Sequence, residues 1–436
     1  MVFLQNVWWL LVLIGVMILI HELGHYWAAR IFDVRVETFS FGFGPRLFGF
    51  RRGETDFRFS LILFGGYVKM AGEQSGEESS ADPRGFLSKP RWQRMIIAFA
   101  GPFMNILLAV SVLTGLFMVS FPKLPNDPSP TIGYLLPDSA AGKAGLREGD
   151  RIVQIENTVD PTWEDIEVKE IASAQHPLTV WVERNGQRQR FMVTPVLNPK
   201  EGTGNLGWEP QREVQVADVM PGMDAARVGL QAGDILQSVH GRKIRATATL
   251  LELINANGGK PVELEYSRAG QTKTVTVTPS RSTIEGVERW MIGVQLKNPV
   301  VFTRLPFREA FKESATMNAK TATLIYQVLR GIVEQKMSPK SLQGPIGIAR
   351  ASGAAARQGA PAFFGLMAMV SLNLAIFNLL PIPILDGGVI LMLIVEMVMR
   401  RDLSLKVKEA VLKLGFVFLM MVVAFVIYND ISKLAS

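Results

Sequence analysis

No cysteine occurs in the 436 residues. No disulfide can therefore staple any part of the chain, and no thiolate is available to ligate a metal or attack a substrate. Histidine is nearly as scarce, with four copies at His21, His25, His176 and His240. Charge is sparse in four apolar runs, roughly Val7–Trp27, Met95–Phe121, Ala362–Ile384 and Val411–Tyr428. Each approaches the ~20 residues needed to cross a hydrocarbon layer. The net charge of +7 does not point to nucleic acid, because the basic residues crowd beside these runs. Arg30, Arg35, Arg46, Arg51 and Arg52 lie between the first and second runs, and Arg400, Arg401 and Lys406 between the third and fourth. Basic residues are absent before the first run, and only Lys433 follows the last. The positive-inside rule then places both basic loops in the cytoplasm, with both termini and the long 122–361 segment outside.

His21-Glu22-Leu23-Gly24-His25 interrupts the first run. On a helix the two histidines fall one turn apart on one face, so both imidazoles can bind one zinc while Glu22 stands beside it as a base. Ionisable groups at membrane depth are costly, and a metal would compensate three within five residues. A catalytic zinc needs a third protein ligand. Ala28 and Ile31 stand where the metzincin pattern requires Gly and His. Glu37 and Glu54 are available downstream but lie outside a recognisable helical context. The favoured candidate is Asp386, in Asn378-Leu-Leu-Pro-Ile-Pro-Ile-Leu-Asp386-Gly387-Gly388 at the end of the third run. Pro381 and Pro383 break a helix there, and Gly387-Gly388 is expected to permit the tight backbone that aims Asp386 inward. A turn carboxylate facing water is the plainer alternative.

Between the second and third runs the sequence repeats itself. LPDSAAGKAGLREGDRIVQI, from Leu136, matches MPGMDAARVGLQAGDILQSV, from Met220, and the same offset pairs Pro177 with Pro261 and Thr194-Pro195 with Thr278-Pro279. Each copy reads as a short helix, a Gly-Leu-x-x-Gly-Asp turn, a strand, an amphipathic helix (Trp163–Ser173, Thr247–Asn255) and a closing hairpin. This order resembles PDZ domains, which take extended peptide ends by adding a strand to a sheet edge. His176 and His240 fall in these copies and read as loop and turn residues. Phe307–Glu334 follows with helical spacing, expected to serve core packing more than a membrane surface.

Taken together, the His21–His25 motif and Leu385-Asp386-Gly387 resemble the site-2 protease family of intramembrane metalloproteases. The tandem repeats narrow this to the RseP-type regulator-of-sigma-E proteases of bacteria. Gly65-Gly66-Tyr67-Val68-Lys69, Gly101-Pro102-Phe103-Met104-Asn105 and Gly344-Pro345-Ile346 also match, while Val389 departs from the His of many relatives. The resemblance implies one catalytic Zn2+ held by His21, His25 and Asp386, with Glu22 as general base and acid. It further implies substrate contacts at Asn378 and at Gly65, Gly66, Tyr67 and Val68, where a membrane-dipping hairpin would hold the substrate as a strand.

The expected architecture is a polytopic α-helical membrane protein with four transmembrane helices and two mixed α/β PDZ-like domains inserted between the second and third. The domains would be 1–121 (first two spans and a cytoplasmic-side loop), 128–204 and 205–298 (the repeats), 299–360 (amphipathic helix and connector) and 361–436 (last two spans). The expected activity is intramembrane zinc endopeptidase action on single-span membrane proteins, such as anti-sigma factors or remnant signal peptides, after prior ectodomain trimming. The repeats would act as a size filter, with peptide C-termini in their grooves as a further partner. The chain would sit in a bacterial inner membrane, repeats and termini periplasmic. The competing reading is a non-proteolytic scaffold that binds envelope proteins through its PDZ pair.

Overall fold

The computed structural model describes residues 2–73, 82–119, 121–123, 130–198, 202–284, 287–297, 301–334 and 344–435. The expected domain-boundary residues 128–129 and 298–300 lie outside these. In chain order the helices are α1 (Val2–Ile31), α2 (Arg91–Val119), α3 (Ala140–Lys143), α4 (Trp163–Ile171), α5 (Asp224–Arg227), α6 (Thr247–Ala256), α7 (Phe307–Val333), α8 (Pro345–Gln358), α9 (Ala360–Leu379), α10 (Asp386–Met399) and α11 (Leu405–Ala435). The chain divides into two compact units: residues 1–121, 304–326 and 342–436 form one, and 122–303 with 327–341 the other.

Among the described residues of the first unit, four helices are long and apolar enough to cross a membrane: Val2–Ile31, Arg91–Val119, Ala360–Leu379 and Lys406–Ser432. They coincide with the four apolar runs. Leu13 and Met17 of α1 bury against Phe363 and Met367 of α9, and Ala109, Leu113 and Phe117 of α2 against Ala368 and Leu372. Ala310, near the start of α7, joins this second cluster, and the Ser314 hydroxyl donates to the Val110 carbonyl at 2.8 Å. Core packing is therefore the use of the first turns of α7. The Gly344-Pro345-Ile346 segment opens α8, whose free N–H groups need acceptors. Asp430 of α11 supplies them, accepting from Gly344, Ile346 and Gly347 at 3.0, 3.0 and 3.1 Å.

Two long strands follow α1: β1 (Val36–Arg52) and β2 (Thr55–Met70). Each bends back, so the pair makes four segments of one sheet. Phe39 pairs with Val68 on one side and with Phe57 on the other, and Phe57 also pairs with Phe50. Gly66–Met70 is thus an edge segment of this sheet, beside Val36–Phe41, and forms no hairpin of its own. The bend before it uses Gly65 at φ +134°, a conformation open to glycine. The outer end exposes Phe43, Leu47, Phe48, Phe50, Leu61 and Ile62, an apolar patch of the kind that marks a membrane or protein contact.

The third apolar run breaks at its prolines, as expected, and departs from expectation at the glycines that follow. Its helix, α9, ends at Leu379, residues 380–385 are non-helical, and Asp386 is the first residue of a new helix, α10. Gly387 and Gly388 are helical and carry no unusual φ; the left-handed residue is Ile384, at φ +86°. Glycine is required at 387 and 388 by close approach, because a methyl group would strike the Leu379, Leu380 and Ile382 carbonyls.

The second unit holds the two repeats, each with a buried aliphatic core of its own. The first has a sheet ordered 158–159, 151–155, 178–184, 187–193, with Trp208–Pro210 paired to Ile132–Leu135. The second continues the equivalent order through 271–277, 262–268, 235–239 and 214–219 to Val294–Lys297. The repeated Asp of the turn motif has the same job in both. Asp150 Oδ2 accepts from Arg147 N–H and Asp234 Oδ2 from Gln231 N–H, each at 2.8 Å, which closes the turn. Arg184 then grips Asp150 bidentately at 2.7 and 2.6 Å, and Arg268 grips Asp234 at 2.7 and 2.7 Å. Burial alone would push the Asp234 carboxyl up, but these hydrogen bonds win and hold it below its ordinary value. His176 and His240 lie in a loop and a turn, as expected; His240 takes φ +47°.

Candidate metal centre

The first unit brings together three side chains from two helices distant in sequence. His21 and His25 project from one face of α1, with ring centroids 4.8 Å apart and planes crossing at 82°. Asp386 reaches them from the first position of α10, where the helix dipole favours a carboxylate. Nε2 of His21 lies 3.2 Å from Nε2 of His25 and 3.2 Å from Asp386 Oδ2, and Nε2 of His25 lies 3.5 Å from Asp386 Oδ1. Tetrahedral zinc with bonds of 2.0–2.1 Å separates neighbouring ligand atoms by about 3.3 Å. The three residues therefore fit that ion in donor type and in spacing. Among the described residues this is the single cluster of His and acidic ligand atoms that could hold a metal. Glu37 and Glu54 are elsewhere, Glu37 with Lys69 at 3.3 Å and Glu54 with Arg84 at 2.9 Å. That removes the alternative third ligands.

The ring orientations have visible causes in α2. His25 Nδ1–H donates to the Ile97 carbonyl at 2.8 Å, which leaves the Nε2 lone pair facing the cluster. Asn105 lies 3.3 Å from His21 Nδ1 through its amide nitrogen, while its buried amide oxygen has no partner. Exchanging the two amide ends, which are hard to tell apart in structures, lets His21 Nδ1–H donate to Asn105. Both imidazoles then present Nε2 in the same way. Gly101, one turn before Asn105, must lack a side chain, because a methyl would collide with His25 Nε2 and His21 Cε1. Gly24 plays the matching part on α1, where a methyl would strike the Ala100 carbonyl. Sequence reasoning noted Asn105 as a polar residue within the second apolar run and as part of a matching segment, without a role at the metal. Its i, i+4 spacing from Gly101, one helical face, was the available signal for its place beside His21.

A cavity of about 750 Å3 opens on this cluster. Glu22 lines it together with Gly66, Tyr67, Val68 and Asn378, so four of the five expected substrate-contact residues stand on its wall. Gly65 does not; it makes the bend that precedes the edge segment. The Val68 backbone hydrogen-bonds Glu22, and a methyl on Gly66 would crowd Ile18 and the Glu22 side chain. Among the described residues no strand pairs with the outer side of Gly66–Met70. Further along the cavity, Arg94, Glu396 and Lys408 form a buried ion cluster that sequence reasoning missed, with Lys408 2.7 Å from Glu396. Its members lie on three helices and share no local pattern.

The profile of peptidase family M50 matches residues 9–422. The regulator of sigma-E protease RseP of Salmonella typhimurium is 30% identical over 97% of this chain and 98% of its own length, and RseP of Escherichia coli K12 gives the same identity and coverage. A Xylella fastidiosa protein that carries a zinc-metalloprotease name is 31% identical over 98% of this chain and 99% of its own. Among solved structures, the PDZ domain of an SdrC-like protein from Listeria monocytogenes is 23% identical, covering 19% of this chain and 85% of that one, with a TM-score of 0.18. The chain belongs to peptidase family M50, the site-2 proteases, and is a membrane zinc metalloprotease.

Proposed function

We propose that the chain cleaves peptide bonds within the transmembrane segments of single-span membrane proteins whose outer domains have already been trimmed. His21, His25 and Asp386 hold one zinc ion. When bound, zinc supplies Lewis-acid polarisation of a carbonyl and lowers the pKa of a coordinated water. The residues do the rest. Ile97 and Asn105 hold the imidazoles in register, and the start of α10 carries the carboxylate to them. Glu22 takes the proton of the attacking water and later returns it to the leaving amine nitrogen. A helix cannot be cut until its scissile carbonyl is exposed, and Gly66–Met70, an edge segment that no further strand covers among the described residues, offers a line along which an unwound substrate adds as a strand. Asn378, which also lines the cavity, supplies a hydrogen-bonding side chain to that strand.

The observation that carries this reading is the meeting, in one cavity, of a zinc-competent triad, a neighbouring carboxylate and the edge segment of a sheet. The basic loops favour an inner-membrane placement with repeats and termini in the periplasm, where the repeats would admit substrates only after their bulky parts are gone. The test is cleavage of a single-span reporter by wild type and by Glu22→Gln, alongside zinc content. Wild type should hold one zinc per chain and cut; Glu22→Gln should hold zinc and fail to cut. Normal cutting by Glu22→Gln would overturn this mechanism, and a zinc-loaded wild type that does not cut would leave the non-proteolytic scaffold reading in place.

A further inference from the structure

The two repeats share a fold but differ at the place where a peptide end would sit. Ala141 N–H donates to the Leu206 carbonyl at 3.1 Å and Leu136 N–H to that of Gly207 at 2.7 Å; the counterparts are Ala225 to Ile292 at 2.9 Å and Met220 to Gly293 at 2.8 Å. Leu206-Gly207 and Ile292-Gly293 are therefore equivalent, and both glycines take positive φ, +71° and +88°. Each pair opens the last strand of its sheet, Trp208–Pro210 or Val294–Lys297, which among the described residues is paired on one side only. An extended peptide adds to such an edge, and the backbone N–H at its start is where a terminal carboxylate is captured.

In the first repeat that N–H is already taken. Glu170, in the last turn of α4, accepts from Leu206 N–H at 2.5 Å and from the Trp208 indole N–H at 2.8 Å. Its side chain is 8% exposed, and Trp163 at the head of α4 packs edge-on against Trp208 at 5.9 Å. We propose that the Leu206 N–H and the Trp208 indole form a carboxylate seat in the first repeat, which the chain's own Glu170 occupies in place of a peptide C-terminus.

The second repeat lacks this plug. Moving 84 positions along the repeat, Glu164, Glu167 and Glu170 become Ala248, Leu251 and Ile254. Ile254 is packed in the aliphatic core and offers no acceptor. The helix beside the first seat therefore carries carboxylates at three-residue spacing, which repel an incoming carboxylate, where the second carries apolar groups. Burial raises the Glu170 carboxyl to about 7 against the pull of its two hydrogen bonds, so the plug is held at an energetic cost that a solvated peptide end does not carry. The inference is independent of the proteolytic reading.

The test uses the full chain in detergent, with Glu22→Gln to prevent cutting. The probe is a fluorescein-labelled decapeptide ending in Val-Ala, as free acid and as C-terminal amide. Glu170→Ala should bind the free acid at least tenfold tighter than the amide, and tighter than the parent does; Trp208→Phe added to it should take back much of that gain. Glu170→Gln keeps the volume and still accepts from Leu206, so it should fall between parent and Ala, and it decides the matter if Glu170→Ala does not melt cooperatively. Carboxylate-dependent binding equal to the parent in every variant that melts cooperatively overturns the proposal.

Discussion

Asp150, Asp234 and Asp386 all stand beside side-chain nitrogens, and their partners separate architecture from chemistry. Asp150 and Asp234 are each gripped by a guanidinium with two short hydrogen bonds, and each also closes its own turn. A guanidinium is always charged and has no lone pair, so such a pair is complete. Asp386 faces two imidazole nitrogens at 3.2 and 3.5 Å. Those nitrogens present lone pairs that a carboxylate cannot satisfy, and three acceptors converging on one point call for a cation. One pattern recurs at a fixed offset because it serves the fold; the other occurs once, and in the proposed mechanism it serves the reaction.

This contrast can be broken most sharply at the metal. Asp386→Asn should abolish zinc retention and cleavage while the melting of the second unit stays put, whereas Glu22→Gln should keep zinc and lose at least about 100-fold in cleavage rate, the scale of general acid–base catalysis. Stoichiometric zinc in Asp386→Asn would erase the distinction. A smaller effect is expected one layer out: Asn105→Leu should weaken zinc binding roughly 10- to 100-fold, read by competition with a chelator, while Asn105→Asp, which keeps an acceptor, should bind at least as well as wild type. Asp150→Ala should leave zinc untouched and lower stability by about 2 kcal/mol, because Arg184 loses its partner yet remains partly in solvent; calorimetric melting measures it. The most gradual effect, spread over several pH units, is a pH slope from Glu170. Its folded value of about 7 lies above the ordinary 4.5, so its contribution favours the fold below pH 4.5 and is lost as pH rises toward 7, by at most about 1.4 kcal/mol per pH unit. Glu170→Gln should flatten that slope.

Much of this was legible in one dimension. Apolar runs of span length give helices because a hydrocarbon environment satisfies backbone groups only within the helix. The repeat was legible because equal residues at equal spacing must solve equal packing problems, and the Asp150 and Asp234 turns do so. His21 and His25 were legible because one helical turn joins them. Asn105 and the Ile97 carbonyl were not, since they act across a helix interface. The same holds for Glu170: the sequence shows an acidic helix, and only the folded repeat places one of its carboxylates on the Leu206 amide.

The sequence by itself determined the spans, the duplicated domain and the three candidate zinc ligands, all of which follow from local periodicity or from motifs a few residues long. The tertiary structure alone decided that Asp386 opens a separate helix against α1, that Gly101, Gly387 and Gly388 are required by close approach, and that Gly66–Met70 is an edge facing Glu22. The reason is one of range. Backbone propensity acts over a turn or two, whereas the approach of two helices, or of a carboxylate to an imidazole, depends on the shape of everything packed between residues hundreds of positions apart.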